Sequence, residues 1–338
     1  MSEERKLFRF AVMGAGNIAN KFCDAIRRLK DCRVTAIASK SIERARTFAA
    51  KNNIANFYDS YEKMLTEEKP DCVYIAVTTD AHYELSRLCL MHGVAVLCEK
   101  AMFLNSRQAE EIFELSRQKQ VFAMEAMWSR FLPAINKVKE WVETKKIGLP
   151  VYGNIGIGFH ADEDPKNRYF NPELGGGASY DLLVYCYEII TYIINWQVDV
   201  VQAKAVFSET GVDITNQVTL HFSKPLFETV NGDATQQCHE ALVSCESTLM
   251  AAMEEKMVLY GSKGKIVLPR PHFASEAFLY DETGNCIEHY KDTVTENGFV
   301  YEAQEAVNCI RENLIESKTV PHSLTIDCAK LFDILLQN

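Results

Sequence analysis

Two short stretches of the chain carry side chains suited to proton transfer. Lys100 ends the apolar run 94–100, and Tyr185 follows Asp181 by four residues in the glycine-opened stretch 175–185. A lysine at the end of a buried strand is costly to keep charged unless its charge is used. Tyrosine has an unperturbed pKa of about 10, and a nearby ammonium group lowers it. We predict Lys100, Tyr185 and Asp181 as catalytic residues.

The same side chains also have structural interpretations, which the sequence leaves open. Lys100 could pair with Glu99 at the surface, and Tyr185 could be an aromatic core residue. Against this, a spacing of i, i+4 on a helix places Asp181 and Tyr185 on one face. That arrangement favours a site that contains both side chains.

A glycine stretch near the start predicts a phosphate-binding turn. The apolar run 8–13 leads directly into Gly14-Ala15-Gly16-Asn17-Ile18-Ala19, and a helix is predicted from Ala19 onward. Gly14 would allow the tight turn, and Gly16 would let the backbone approach a pyrophosphate at the helix N-terminus. We predict that Gly14, Gly16, Asn17 and Ile18 bind a dinucleotide.

The end of the second predicted strand bears on which dinucleotide is bound. Sites that prefer NAD normally carry Asp or Glu there, for the ribose hydroxyls. This chain has Ser39 and Lys40 instead, with Arg44 shortly after. Such donors and cations suit a 2′-phosphate, so we predict cofactor contacts from all three residues and NADP as the cofactor, with NAD as the alternative.

The elements that must position these residues differ between the two halves. Up to residue 127, six apolar strands alternate with helices, which predicts a doubly wound α/β parallel sheet with right-handed crossovers. Ligands bind beyond the strand C-termini of such sheets. Thr78 and His82 follow the fourth strand, and Glu99 and Lys100 end the fifth, so these four are added to the cofactor-binding residues.

From residue 128 the pattern changes to eight strand-like runs with few helices between them. The stretches 261–264 and 282–285 look like hairpin turns. This predicts an α+β domain with a large, mostly antiparallel open sheet. We therefore divide the chain into domains 1–127 and 128–338. Trp128 and Arg130, at the junction, and Arg168, in the long polar loop 162–177, are predicted to contact the substrate.

Composition excludes several function classes. The net charge of -10 argues against broad binding to nucleic acid or to anionic membranes. No apolar run is long enough to span a bilayer, and the N-terminus lacks the apolar segment of a signal peptide. The 11 cysteines include no C-x-x-C pair, which predicts reduced thiols in the cytoplasm. The eight histidines include no H-x-x-x-H pair, so no metal site is predicted.

Three stretches together resemble the Gfo/Idh/MocA family of glucose–fructose oxidoreductase and inositol dehydrogenase. They are GAGNIA at 14–19, LCEKAMFLN at 97–105 and GGGASYDLLVY at 175–185. The stretch 124–131, MEAMWSRF, is similar to the dimeric dihydrodiol dehydrogenase branch. The resemblance implies a Rossmann domain, an active site in the interdomain cleft, and homodimers that form through the open sheet. It places Lys100 at the family's catalytic lysine, Asp181 at its substrate-binding aspartate and Tyr185 at its catalytic His or Tyr.

The chain departs from the family pattern at two places. Ala101 replaces the proline of the family's E-K-P motif, which removes a restraint on φ beside Lys100. Tyr180 and Leu183 are bulkier than the residues usual there, which predicts a reshaped pocket. The resulting prediction is hydride transfer between NADP and a hydroxyl-bearing carbon of a sugar, polyol or cyclic trans-dihydrodiol. A regulator that binds a dinucleotide without turnover and an NAD-dependent inositol-type dehydrogenase are the alternatives.

Overall fold

The structure is a computed structural model that describes residues 6–230 and 233–336, except for the side chains of 225–230 and 233–237. Its residues group into two compact units. The first contains the chain up to Trp128 together with Glu173–Gly175 and Thr295–Lys330. The second contains Ser129–Pro172, Gly176–Val294 and the chain from Leu331 onward. The predicted domains are continuous in sequence, and their boundary at 127/128 remains a prediction.

The first unit contains a parallel sheet of six strands in the order β3-β2-β1-β4-β5-β6. The strands are β1 Phe8–Met13, β2 Cys32–Ala38, β3 Asn56–Tyr58, β4 Cys72–Ile75, β5 Ala95–Glu99 and β6 Ala123–Ala126. Residues of β4, β5 and β6 are buried throughout, as expected for strands covered on both faces. The strand order reverses between β1 and β4, and ligands of such sheets bind at that point.

Five helices connect these strands: α1 Asn17–Arg28, α2 Ile42–Asn52, α3 Tyr61–Glu68, α4 His82–Met91 and α5 Ser106–Lys119. Capping side chains mark the N-termini of several of these helices. Ser41 and Asn105 cap α2 and α5 by accepting hydrogen bonds from backbone N–H groups. The buried face of α1 places Phe22 flat against Tyr74 of β4, with ring centroids 3.7 Å apart. This packing fixes the start of α1 over the sheet.

The second unit contains a sheet of eight strands in the order β14-β13-β12-β11-β7-β10-β9-β8. The strands are β7 Pro150–Gly158, β8 Gln197–Phe207, β9 Asp213–Val230, β10 Asp233–Thr248, β11 Lys256–Gly261, β12 Gly264–Pro269, β13 Glu276–Asp281 and β14 Cys286–Lys291. Among the described strands of this second sheet, β7 and β10 form the one parallel pair, and the other neighbours pair antiparallel. The predicted α/β doubly wound sheet followed by a mostly antiparallel α+β sheet is therefore confirmed.

Helices α6 Pro133–Glu143 and α7 Val184–Ile194 pack together against one face of this sheet. Helix α7 is buried around nearly its whole circumference, which explains its apolar sequence VYCYEIITYII. Helices α8 Phe299–Arg311 and α9 His322–Leu336 follow the sheet in sequence. A π-helical turn, Ser179–Leu183, leads directly into α7.

The described residues also bear on the predicted absences. None of the helices in 6–230 and 233–336 combines the length and apolar character needed to cross a bilayer. Within the same residues, no group of three or more His, Cys, Asp or Glu side chains is arranged to hold a metal ion. The first five residues, which are part of the N-terminal segment considered for a signal peptide, lie outside the described residues.

Candidate active site

The glycine turn after β1 has the geometry of a dinucleotide cradle. Gly14 has φ +105°, its N–H donates to the Ala38 carbonyl at 2.9 Å, and a Cβ there would collide with the Ala76 carbonyl oxygen. Gly16 differs, because a Cβ would meet nothing closer than 3.9 Å, again at Ala76 O. The protein's own packing requires glycine at position 14 but not at 16. The open space at Gly16 is what a bound pyrophosphate needs.

The N-terminus of α1 also fits an anion. Helix α1 begins at Asn17, two residues before the predicted start at Ala19. Its N-cap, Gly16, has no side chain to accept a hydrogen bond, whereas Ser41 caps α2 and Asn105 caps α5. The first N–H groups of α1 thus lack a side-chain cap and are suited to phosphate. Asn17 is exposed and Ile18 half-buried beside them.

The end of β2 presents cations rather than a carboxylate. Ser39 is buried, with 5% of its surface exposed, and its N–H donates to the Tyr58 carbonyl at 3.1 Å. Lys40 and Arg44 are both exposed. The Arg44 N–H donates to the Ser41 side chain, which fixes the first turn of α2. The guanidinium and ammonium groups are therefore available for a phosphate.

His82 connects the ends of two neighbouring strands of the first unit. Its side chain is buried, with Nδ1 3.0 Å from the Ala101 carbonyl oxygen and Nε2 3.2 Å from that of Val77. Burial lowers the pKa of His82. Both ring nitrogens thus face backbone carbonyls, and the ring ties the end of β4 to the segment after Lys100. Thr78, half-buried, begins the short 3-10 turn Thr79–Ala81 before His82.

A second buried side chain holds the segment that follows Lys100. The Met102 N–H donates to Glu125 Oε1 at 2.9 Å, and the Thr325 hydroxyl donates to Glu125 Oε2 at 2.9 Å. The Lys100–Ala101 peptide bond is cis. The family proline is absent here, yet Glu125 and His82 restrain the backbone on this side of Lys100. Lys100 itself is half-buried.

Glu99 precedes Lys100 and is buried against a second carboxyl group. Tyr74 donates its hydroxyl to Glu99, which is 7% exposed. Glu302 of α8 is fully buried, and neither of its carboxyl oxygens has a hydrogen-bond partner. Burial, reinforced by the charge of Glu99, raises the pKa of Glu302 well above its usual value. The arrangement favours a neutral Glu302 and gives Glu99 a place in the core of the first unit.

The two predicted substrate contacts after β6 lie in well-packed surroundings. Trp128 is 7% exposed and stacks on Phe299 with ring centroids 5.2 Å apart. Arg130 has no exposed surface; it forms an ion pair with Glu188 at 2.8 Å and donates to the Thr191 hydroxyl at 3.1 Å. A buried arginine with a buried carboxylate is accounted for by packing within the second unit.

Residues 177–185 form the Tyr185 segment. Its start is held by Asp213, a residue that sequence reasoning missed. Asp213 of β9 is 1% exposed and accepts hydrogen bonds from the Ser179 N–H at 2.8 Å, the Ser179 hydroxyl at 2.6 Å and Asn216 at 2.9 Å. Burial raises the pKa of Asp213, and these donors oppose that effect. A Cβ on Gly177, whose φ is +130°, would collide with the same carboxylate. Asp213 thus anchors the turn that leads to Asp181.

Asp181 lies in the π-helical turn, so the α-helical spacing used to predict a shared face with Tyr185 does not apply to it. Its side chain, 16% exposed, pairs with Arg168 at 3.0 Å. Arg168 comes from the long loop, is 54% exposed, and lies over the Tyr169 ring. The structure therefore brings together two residues that the sequence proposed separately.

Tyr185 begins the first turn of α7 after this π turn and is 8% exposed. Its ring lies 5.1 Å from that of His272, a residue that sequence reasoning also missed. Glu255 lies behind His272, with Oε2 3.7 Å from Nδ1. The sequence gives no spacing that links Glu255 or His272 to Tyr185.

Comparison with known proteins supports the family. Residues 8–127 match the family model described as an oxidoreductase family with an NAD-binding Rossmann fold, and residues 135–267 match the Gfo/Idh/MocA C-terminal domain. A trans-1,2-dihydrobenzene-1,2-diol dehydrogenase from Xenopus laevis is 30% identical over 317 residues, covering 91% of each chain. A scyllo-inositol 2-dehydrogenase (NADP(+)) from Bacillus subtilis is 29% identical, covering 97% of this chain and 95% of the relative.

Solved structures agree on the fold. A 3-ketoreductase from Actinomadura kijaniata in complex with NADP and TDP-benzene has a TM-score of 0.83 at 19% identity, covering 98% of this chain and 97% of that one. At that identity the likeness shows the fold alone. Together with the cradle at Gly14 and Gly16, the two family models and these relatives identify the chain as an oxidoreductase with an NAD-binding Rossmann domain, and it belongs to the Gfo/Idh/MocA family.

Proposed function

We propose that the chain transfers hydride reversibly between NADP and a hydroxyl-bearing carbon of a sugar, polyol or cyclic trans-dihydrodiol. The observation that carries this proposal is the position of Tyr185, nearly buried and directly after the turn that bears Asp181. The printed names of the two curated relatives support the substrate class, because both describe dehydrogenation of ring hydroxyl groups.

Each of the three predicted catalytic residues has a separate task. In the oxidation direction, Tyr185 accepts the proton of the substrate hydroxyl. Lys100 lowers the pKa of that phenol and stabilises the developing alkoxide by its charge. Asp181 accepts a hydrogen bond from the substrate and fixes its orientation, and Arg168 holds the carboxylate in place. A dinucleotide held at Gly14 and Gly16 would supply the hydride acceptor for oxidation and, in its reduced form, the hydride donor for reduction.

The remaining predicted residues have supporting tasks in this proposal. Gly14, Gly16, Asn17 and Ile18 hold the pyrophosphate, and Thr78 contacts the cofactor nearby. Trp128 contributes an apolar wall. His82 and Glu99 keep the backbone around Lys100 in place through their buried hydrogen bonds. Arg130 supports α7 through Glu188 rather than touching the substrate.

A turnover screen tests the reaction class. Purified protein is incubated with NADP and a panel of sugars, polyols and trans-dihydrodiols, and reduced nicotinamide is followed by absorbance. We expect turnover with at least one compound and loss of turnover in Tyr185→Phe. NADP binding without turnover of any compound would instead support the non-catalytic regulator. A Tyr185→Phe variant with near wild-type activity would remove Tyr185 as the general base.

The preference for NADP over NAD rests on the cations after β2. Removing a charged contact to the 2′-phosphate costs about 1.5–3 kcal/mol, which corresponds to at least a tenfold loss of affinity. Lys40→Ala and Arg44→Ala should each weaken NADPH binding by about tenfold and leave NADH binding unchanged. Arg46→Ala is the matched control, because Arg46 is exposed on the same helix but lies over the Phe57 ring. Equal affinity of the wild type for NADH and NADPH would favour the NAD-dependent alternative.

A homodimer and a cytoplasmic location complete the proposal. Tyr260, Tyr152 and Leu242 are register partners on neighbouring strands β11, β7 and β10, and each is at least 40% exposed. Such an exposed apolar row suits pairing with a second copy, and Tyr152→Asp should shift the mass measured by light scattering to that of a monomer.

All 11 cysteines are free thiols, nine of them buried, which suits a reducing compartment. Cell fractionation tests the location.

A further inference from the structure

We propose that His272 is a positioning residue for Tyr185, held in place by Glu255. The inference rests on the proposed role of Tyr185 and goes beyond it by naming what fixes the phenol. It is carried by contacts within the second unit alone.

Three side chains surround His272. Its ring centroid is 5.1 Å from that of Tyr185 and 4.1 Å from that of Phe273, and Nδ1 is 3.7 Å from Glu255 Oε2. The residue is 8% exposed and lies in the 3-10 turn Pro271–Phe273, which packs against α7. A ring confined in this way has little freedom to move.

This confinement matters because Tyr185 must present its hydroxyl at a fixed angle. A phenol can rotate about two side-chain torsions, and ring packing removes that freedom. Displacement of a reacting group by about 1 Å can cost about 100-fold in rate. The His272 ring on one side of Tyr185 therefore protects the geometry of proton transfer, while Asp181 retains the task of binding the substrate.

The chain provides a matched control for this arrangement. His289 of β14 also lies between an aromatic ring and a glutamate: it stacks on Phe278 with centroids 4.2 Å apart, and its Nε2 is 3.1 Å from Glu276 Oε2. The His289 side chain is 43% exposed, and β14, which carries it, is an edge strand of the second sheet. His289→Ala removes the same chemistry from a place where no catalytic role is proposed.

The experiment compares kcat, KM and melting temperature for four variants. His272→Ala should lower kcat by about 10- to 100-fold with KM within about threefold. His272→Phe, which restores a ring but not the pairing with Glu255, should lower kcat by no more than about tenfold. Glu255→Gln should lower kcat by a smaller factor of about three to ten, and His289→Ala should leave kcat unchanged. Loss of kcat in His289→Ala equal to that in His272→Ala would overturn the proposal, as would wild-type kcat in His272→Ala.

A double-mutant cycle separates positioning from general stability. If His272 acts through Tyr185, adding His272→Ala to Tyr185→Phe should not lower the residual single-turnover rate further. An equal fractional loss in both backgrounds would overturn the proposal. If His272→Ala does not fold, Glu255→Gln and His272→Phe decide: a wild-type kcat in Glu255→Gln then counts against it. High activity of Tyr185→Phe alone would overturn the proposed function instead, which keeps the two failures distinct.

Discussion

The Lys100 segment, residues 99–102, and the Tyr185 segment are fixed by the same device. In each, a buried carboxylate accepts a backbone N–H: Glu125 accepts from Met102, and Asp213 accepts from Ser179. Both carboxylates are 2% exposed or less. In each case the carboxylate sits next to the reactive stretch, so the chemistry is positioned through the backbone.

The two segments differ in what supports them next. The Lys100 segment is held by His82, the first residue of the helix α4 that connects strands β4 and β5 of the parallel sheet. The Tyr185 segment contacts Arg168 from a long loop and His272 from a 3-10 turn. The Lys100 segment is therefore held by residues of the parallel-sheet unit, whereas the Tyr185 segment is contacted from loops. Loops of this kind vary most easily among relatives, which suits a family with many substrates.

The largest expected effect is loss of the proton carrier. Tyr185→Phe should lower kcat by about 100- to 10,000-fold, the range for removal of a general acid–base group, while leaving NADPH affinity unchanged. Tyr192→Phe is the control, because Tyr192 lies on the same helix and donates its hydroxyl to Asn136. Steady-state rates and NADPH fluorescence titration provide the measurement. Equal losses in both variants would contradict a specific role for Tyr185.

The two anchoring carboxylates should separate cofactor from substrate effects. Glu125→Gln and Asp213→Asn each replace an acceptor with an amide that cannot satisfy all of its donors, at a cost of about 1–3 kcal/mol in unfolding free energy. Asp213→Asn should raise the substrate KM more than the NADP KM, because it loosens the turn before Asp181. Glu125→Gln should lower kcat with little change in substrate KM. A larger rise in substrate KM for Glu125→Gln than for Asp213→Asn would contradict the proposed difference between the two segments.

A smaller effect, on substrate KM, is expected from Arg168 in the long loop 162–177. Arg168→Ala should raise the substrate KM by about tenfold, because Asp181 loses the partner that holds it, but should change unfolding free energy by less than about 1 kcal/mol. Lys166→Ala, in the same exposed loop, is the control. An unchanged KM in Arg168→Ala would mean that Asp181 is positioned without this ion pair.

The smallest effect concerns pH and the buried acid of the first unit. The pKa of Glu302 is raised in the folded state, so the folded protein binds this proton more tightly than the unfolded chain. Its contribution to stability is fully present at pH below the usual glutamate pKa and is lost as pH rises above it. Glu302→Gln should therefore be more stable than the wild type by about 1 kcal/mol at neutral pH. Melting temperatures of both proteins from pH 5 to pH 8 should diverge as pH rises; parallel curves would contradict a buried neutral carboxyl.

Much of the cofactor half was predictable because its signals are local. An apolar strand, two glycines and a helix start are consecutive in sequence, and Ser41 and Asn105 announce the helices that follow them. The start of α1 was placed two residues late, because without a capping side chain the helix start has no marker. Strands β9 and β10 include many polar residues, since they pair with each other and backbone pairing does not require apolar side chains.

By itself the sequence determined the family and the order of strands and helices, because these depend on neighbours along the chain. It also proposed Lys100, Asp181 and Tyr185 as catalytic residues. Tertiary structure alone decided what restrains them. Asp213, His272 and Glu125 reach their partners across strands that lie far apart in sequence. It also decided that Asp181 lies in a π turn, since a turn of that kind depends on packing at both of its ends. Sequence periodicity reports which residues are buried, but not which buried group each of them touches.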